Sequence, residues 1–162
     1  MNTLTFLTRV KAILIAKTWT GAGGEVVFPS GGVIIAAAIE EDALLSIRTP
    51  CAIIVPTDAE MDGQIRGLIK QRFGVRIIVT NKNDPYGEAT LMGANIGSTL
   101  KSQGRGLFAI EEELLNAIKY LQSTDSIKII ERYRSAPATV YNNRVPYSLR
   151  DYAFEVVLTA NA

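Results

Sequence analysis

Two segments of the chain repeat apolar residues with helical spacing. Between residues 107 and 121 the repeat has steps of three and four: Leu107, Ile110, Leu114, Ile118 and Leu121. This pattern predicts an amphipathic helix. Leu4, Leu7 and Leu14 follow similar spacing near the start of the chain. They predict a first helix over residues 3–16, with Asn2 or Thr3 as its N-cap.

Other segments have the patterns of strands. Residues 72–80 and 151–159 alternate between apolar and polar side chains, which predicts two half-buried strands. The wholly apolar run from Cys51 to Val55 predicts a central strand covered on both faces. Residues 25–28, 127–133 and 137–141 predict shorter strands, and residues 142–143 predict a turn. Residues 33–39 fit either a buried strand or the start of a helix, because short apolar runs do not separate the two.

A long segment lacks this periodicity. Residues 81–105 contain four glycines and a proline and lie between a predicted strand and the second predicted helix. Loops of this length are uncommon in compact domains, and those that occur are usually functional or disordered. The segment is therefore either a contact loop or a solvated connector.

Composition restricts the chemistry of the chain. Its 162 residues suit a single domain over 1–162, and 48% hydrophobic residues suffice for a core. The net charge of +1 gives no bulk electrostatic reason to expect nucleic acid, and no run of 18 apolar residues predicts a membrane span. One cysteine and no histidine exclude an internal disulfide, a Cys/His metal site and histidine-dependent nucleophilic catalysis.

The acidic residues Asp58, Glu60 and Asp62 are spaced like the start of a calcium loop. Such a loop needs a bidentate glutamate at its twelfth position, where this chain has Ile69. The segment is therefore predicted to be a solvated acidic turn. We expect no catalytic residue, no cofactor and no metal ion.

A run of basic residues follows this acidic segment: Arg66, Lys70, Arg72, Arg76 and Lys82. It fits a nucleic-acid surface, the exposed face of a sheet, or one half of a subunit interface. In the third case the acidic turn would be the other half.

The order of the predicted elements is specific enough to compare with known families. A first helix is followed by an apolar strand, TPCAIIVP, and a second strand, QRFGVRIIVT. After the long loop come a helix, GRGLFAIEEELLNAIKYL, and a last strand, RDYAFEVVLT. From about Val33 onward this order resembles the tail terminator (tail completion) proteins of tailed bacteriophages, including those of Mu-like phages.

The resemblance implies an α+β fold with a mostly antiparallel sheet of about four to five strands and two main helices packed on one face. It also implies a non-enzymatic virion protein, assembled in the host cytoplasm, that forms a hexameric ring at the head-proximal end of the tail. The ring would stop polymerisation of the tail tube and present a docking surface to the head–tail connector. DNA would pass through its lumen without sequence specificity.

Two contact surfaces follow as hypotheses. Residues 84–105 of the long loop would contact the tube or a neighbouring subunit. The contact residues would be Tyr86, Leu91, Met92, Ile96, Lys101 and Arg105. A subunit interface would pair basic residues of one subunit with acidic residues of the next: Arg72 and Arg76 with Asp58, Glu60 and Asp62. Two alternative functions remain open, a head–tail connector (a stopper or neck protein) and a small α/β enzyme or ligand-binding domain built on carboxylates.

Overall fold

The computed structural model describes residues 1–21, 24–38, 48–61, 67–80 and 106–159. These residues contain two α-helices, α1 (Thr3–Ala16) and α2 (Leu107–Asp125). The six strands are β1 (Val33–Ile35), β2 (Cys51–Met61), β3 (Leu68–Thr80), β4 (Ile129–Arg134), β5 (Ala138–Asn142) and β6 (Val145–Thr159). The α+β class is confirmed, with six strands where four to five were expected.

The six strands form one sheet in the order β1-β2-β3-β6-β4. Strand β5 also pairs with β6, along residues 145–149. Only β1 and β2 run parallel, and the other pairs are antiparallel. The centre of the sheet is the long ladder between β3 and β6, which runs from Leu68 opposite Thr159 to Thr80 opposite Tyr147.

Both helices pack against the same face of this sheet, which we call the helix face. Phe6 of α1 meets the ring of Phe73 edge-on at 5.2 Å, and Phe73 stacks on Phe154 at 5.3 Å. Helix α2 adds Ile110 and Leu114, both fully buried. The opposite face, which we call the open face, has a smaller buried cluster of Cys51, Ile53 and Ile78. The apolar β2 segment is thus buried on both faces, as predicted.

Both helices begin where the sequence predicts. The side chain of Asn2 caps α1 by accepting a hydrogen bond from the Thr5 N–H at 2.9 Å, and α1 ends at Ala16 as expected. Helix α2 runs to Asp125, four residues beyond the prediction. The extra turn places Asp125 within 3.2 Å of Arg9 on α1. This ion pair between the two helices favours the longer helix.

The predicted acidic turn is wrong for the described residues Asp58 and Glu60, because both belong to β2. After a bulge between Pro56 and Ala59, β2 continues to pair with β3 as far as Met61. Arg72 of β3 lies 2.6 Å from Asp58 and offsets the negative charge that predicted a solvated turn.

Three short segments differ in part from their predicted structure. Residues 25–28 form no strand, since only Val26 makes an isolated bridge, to Thr18. The ambiguous segment starts as a strand, Val33–Ile35. The turn before β6 uses Asn143 and Arg144, both with positive φ, rather than residues 142–143. A two-residue turn with positive φ at both positions matches the twist of a hairpin.

Candidate assembly surfaces

The open face has a row of arginine–carboxylate pairs. Arg72 lies 2.6 Å from Asp58 and 3.2 Å from Glu155, and Arg76 binds both carboxylate oxygens of Asp151 at 2.7 and 2.8 Å. These pairs join β3 to both of its neighbours in the sheet. The two arginines predicted at a subunit interface are therefore bound within their own chain. Their contact with a neighbouring subunit stays a prediction.

Glu155 is the best-buried acid of this row. Arg132 donates to it at 2.7 Å from the far side of the ladder, opposite Arg72. The hydrogen bond from Arg132 holds the pKa of Glu155 below its ordinary value against the opposing effect of burial, and Arg72 adds to the lowering. Glu155 is thus an ionised structural carboxylate and poorly suited to act as a general acid.

This lowered pKa predicts a pH-dependent effect of the Glu155→Gln substitution. The carboxylate stabilises the fold fully above its ordinary pKa of 4.5, and this stabilisation is lost as the pH falls through the lower folded-state pKa. At pH 7 the variant should lose about 1 kcal/mol of unfolding free energy. Urea titrations at pH 7 and at pH 3 measure the difference, which should shrink at the lower pH. A difference that does not change with pH would contradict this role.

A second charged cluster joins α2 to the sheet on the helix face. Glu111 accepts hydrogen bonds from Arg134 at 2.8 Å, from Arg150 at 2.9 Å and from the hydroxyl of Tyr152. Arg134 also lies over the Tyr152 ring, 5.5 Å from its centre. Burial, together with the hydrogen bond to Glu111, raises the pKa of Tyr152 far above its usual range. The cluster therefore connects the N-terminal half of α2 with β4 and β6.

Glu113 connects α2 with the segment that follows α1. Its carboxylate lies 2.8 Å from the Lys17 ammonium and accepts the Thr20 N–H at 2.8 Å. Burial opposes ionisation, but these two donors outweigh it and lower the pKa of Glu113. Glu111 and Glu113 thus bind partners far along the chain, whereas Glu112 is exposed.

Exposed apolar side chains lie at opposite ends of the sheet. At one end Tyr133 of β4 is 60% exposed, and Val140 and Tyr141 of β5 are also exposed. At the other end Met61, the last residue of β2, is 61% exposed. Tyrosine and methionine are enriched in protein interfaces. Sequence reasoning missed these residues, although two tyrosines in short predicted strands were a signal.

A groove of about 310 Å³ lies between α2 and β4 on the helix face. Its apolar lining is Leu115, Ile118, Ile129 and Phe154. Its polar lining is Lys119, Gln122, Glu131 and Arg134. The groove can accept one or two apolar side chains from a partner that approaches β4.

Cys51 is fully buried on the open face, and burial raises the pKa of its thiol to about 12. A thiol in this state is unreactive. Its burial agrees with the prediction of a strand covered on both faces at Cys51 to Val55.

The remaining predicted contact residues lie outside the described residues. They are Asp62 of the acidic segment and the six loop residues Tyr86, Leu91, Met92, Ile96, Lys101 and Arg105.

Comparison with models of known protein families and with curated proteins finds no match. Within the described ranges, no helix is long and apolar enough to cross a membrane. In the same part of the chain, no three residues among His, Cys, Asp and Glu are grouped so that they could hold a metal ion.

Proposed function

We propose that this chain is a non-enzymatic structural protein of a phage virion. Copies of it form a hexameric ring that caps the head-proximal end of the tail tube and stops tube polymerisation. The ring then docks the head–tail connector, and DNA crosses its lumen without sequence specificity. The protein acts in the tail of the virion after assembly in the host cytoplasm.

The observation that supports the proposal is the fold. The resemblance implies a mostly antiparallel sheet with two main helices on one face, and the chain has this architecture. Both helices lie on one face, and among the described residues the edges of the sheet expose apolar side chains that can make contacts. The exposed Tyr133, Tyr141 and Met61 lie at these edges.

The ionisable groups also favour a structural role. Glu155 is bound by two arginines, Glu111 by two arginines and a tyrosine, and Glu113 by a lysine and a backbone N–H. Each of these carboxylates stabilises contacts between elements of the fold. A general acid or base would instead need access to a substrate.

A binding experiment separates this function from that of a connector. The purified protein is mixed in turn with free tail-tube protein and with tailless heads, and co-sedimentation is measured. A terminator binds the tube before any head is present. Binding to heads together with no binding to tubes would contradict the proposal and favour a stopper or neck protein.

A further inference from the structure

The described sheet has an unpaired strand segment at each of its two edges, one in β2 and one in β4. Strand β1 pairs only with Ala52–Ile54, so among the described strands residues 57–61 of β2 have a neighbour on one side only. We call these residues the β2 edge. At the other end, β4 (Ile129–Arg134) pairs with β6 alone within the described part of the chain. We call it the β4 edge. Unpaired edges are templates for pairing with another chain.

The two edges differ in charge. On the β2 edge, the side chains of Asp58 and Glu60 are 63% and 65% exposed. Both lie on the open face, because both contact Arg72 there. On the β4 edge, Arg132 also points to the open face, where it contacts Glu155, and its side chain is 53% exposed. Opposite charges on the same face attract when two strands pair.

The two edges also match on the helix face. Met61 pairs with Ile69, and Ile69 pairs with Leu158, which is buried in the core shared with both helices. The exposed side chain of Met61 therefore lies on the helix face. The groove beside β4 opens on that same face, and half of its lining residues are apolar. Methionine is flexible and fills irregular apolar gaps well.

We propose that copies of this chain associate head-to-tail, with the β2 edge of one copy paired to the β4 edge of the next. Met61 then enters the groove between α2 and β4, and Asp58 and Glu60 lie beside Arg132 on the open face. The strands β2, β3, β6 and β4 alternate in direction. A second copy in the same orientation therefore adds its β2 edge antiparallel to β4.

This contact joins two different surfaces and is heterologous, so its repetition produces a ring or a filament rather than a two-fold dimer. It rests on the proposed function, since it assigns the subunit contact of the proposed ring. The proposed contact differs from the subunit interface hypothesised from the sequence. Its acidic half still contains Asp58 and Glu60, but its basic half lies on β4 instead of at Arg72 and Arg76.

Disulfide cross-linking of the Met61→Cys/Lys119→Cys double variant tests the contact. Lys119 is exposed and lies at the groove. Strands β2 and β4 are three strand spacings apart, roughly 14 Å, whereas a disulfide needs Cα atoms within about 7 Å. A bond within one chain is thus excluded, and the buried Cys51 does not compete. Oxidation should give a ladder of covalent dimers, trimers and larger oligomers.

Each single substitution is the matched control and should give no covalent oligomer after oxidation. If the double variant forms no covalent oligomer while thiol labelling shows both introduced cysteines to be accessible, the proposed contact is wrong. A dimer formed by either single variant would also overturn it, because that dimer requires a two-fold contact.

Charge reversal gives a second test of the same contact. Glu60→Lys and Arg132→Glu should each weaken self-association roughly tenfold in analytical ultracentrifugation, while the variant with both changes should recover it. Glu112→Lys, on the exposed side of α2, should have no effect. If the double reversal is folded but no stronger than the single ones, the strand pairing is contradicted.

Neither test uses tube protein, so the contact and the proposed function can fail separately. A cross-linked ladder without tube binding would support the subunit contact and contradict the terminator function. Tube binding without a ladder would support the terminator function and contradict the subunit contact.

Discussion

Replacing Glu111 by alanine is expected to lower the free energy of unfolding by about 1–3 kcal/mol. The substitution leaves Arg134, Arg150 and the hydroxyl of Tyr152 without their common acceptor. Arg134 keeps Glu131 as a partner and Arg150 keeps the Ser135 carbonyl, so part of the lost interaction is compensated. The side chain of Glu111 is only 13% exposed, so water replaces the lost carboxylate poorly.

Glu112→Ala is the matched control, because Glu112 occupies the next position in α2 and is exposed. It should change the unfolding free energy by no more than about 0.5 kcal/mol. Urea unfolding of both variants at pH 7 measures the difference. Equal stability of the two variants would show that the Glu111 cluster contributes little to the fold.

Deleting residues 86–102 is expected to abolish binding to the tail tube and leave the monomer folded. The expectation follows from the hypothesis that this loop contacts the tube or a neighbouring subunit. The core residues of the described part of the chain lie outside the deleted range. Thermal unfolding checks the fold of the variant, and co-sedimentation with tube protein checks its binding.

A second variant of the same loop keeps its length. Replacing Tyr86, Leu91, Met92 and Ile96 by serine removes the proposed apolar contacts. This variant should lose tube binding as the deletion does. If tube capping survives both changes, the loop hypothesis is wrong and the contacts lie elsewhere on the molecule.

The sequence predicts the helices and the central strands well because burial on one face leaves a clear period. Helix α1 is predicted to the residue, and the alternation of residues 72–80 identifies the core of β3. The ends of the strands were missed. Residues 58–61 and 145–150 contain charged or polar side chains that favour loops in isolation. Partners distant in the sequence hold them in the sheet: Arg72 binds Asp58, Glu111 of α2 binds Arg150, and Thr139 of β5 contacts Ser148.

The candidate surfaces could not be predicted from spacing along the chain. Glu111 meets Arg134 across 23 residues and Arg150 across 39 residues. The β2 edge can be recognised only once the strand order is known. Strand β1 pairs with the first part of β2 and leaves residues 57–61 beyond it. No pattern in the sequence distinguishes Arg132 of β4, whereas Asp58 and Glu60 belong to a recognisable acidic group.

The central claim is that the protein caps a tail tube as a ring, and electron microscopy of the purified protein mixed with its tube protein tests this claim most directly. The account predicts a ring at one end of each tube, with tubes that stop growing once the ring is present. Tubes that keep both ends bare and continue to lengthen at saturating protein would contradict it.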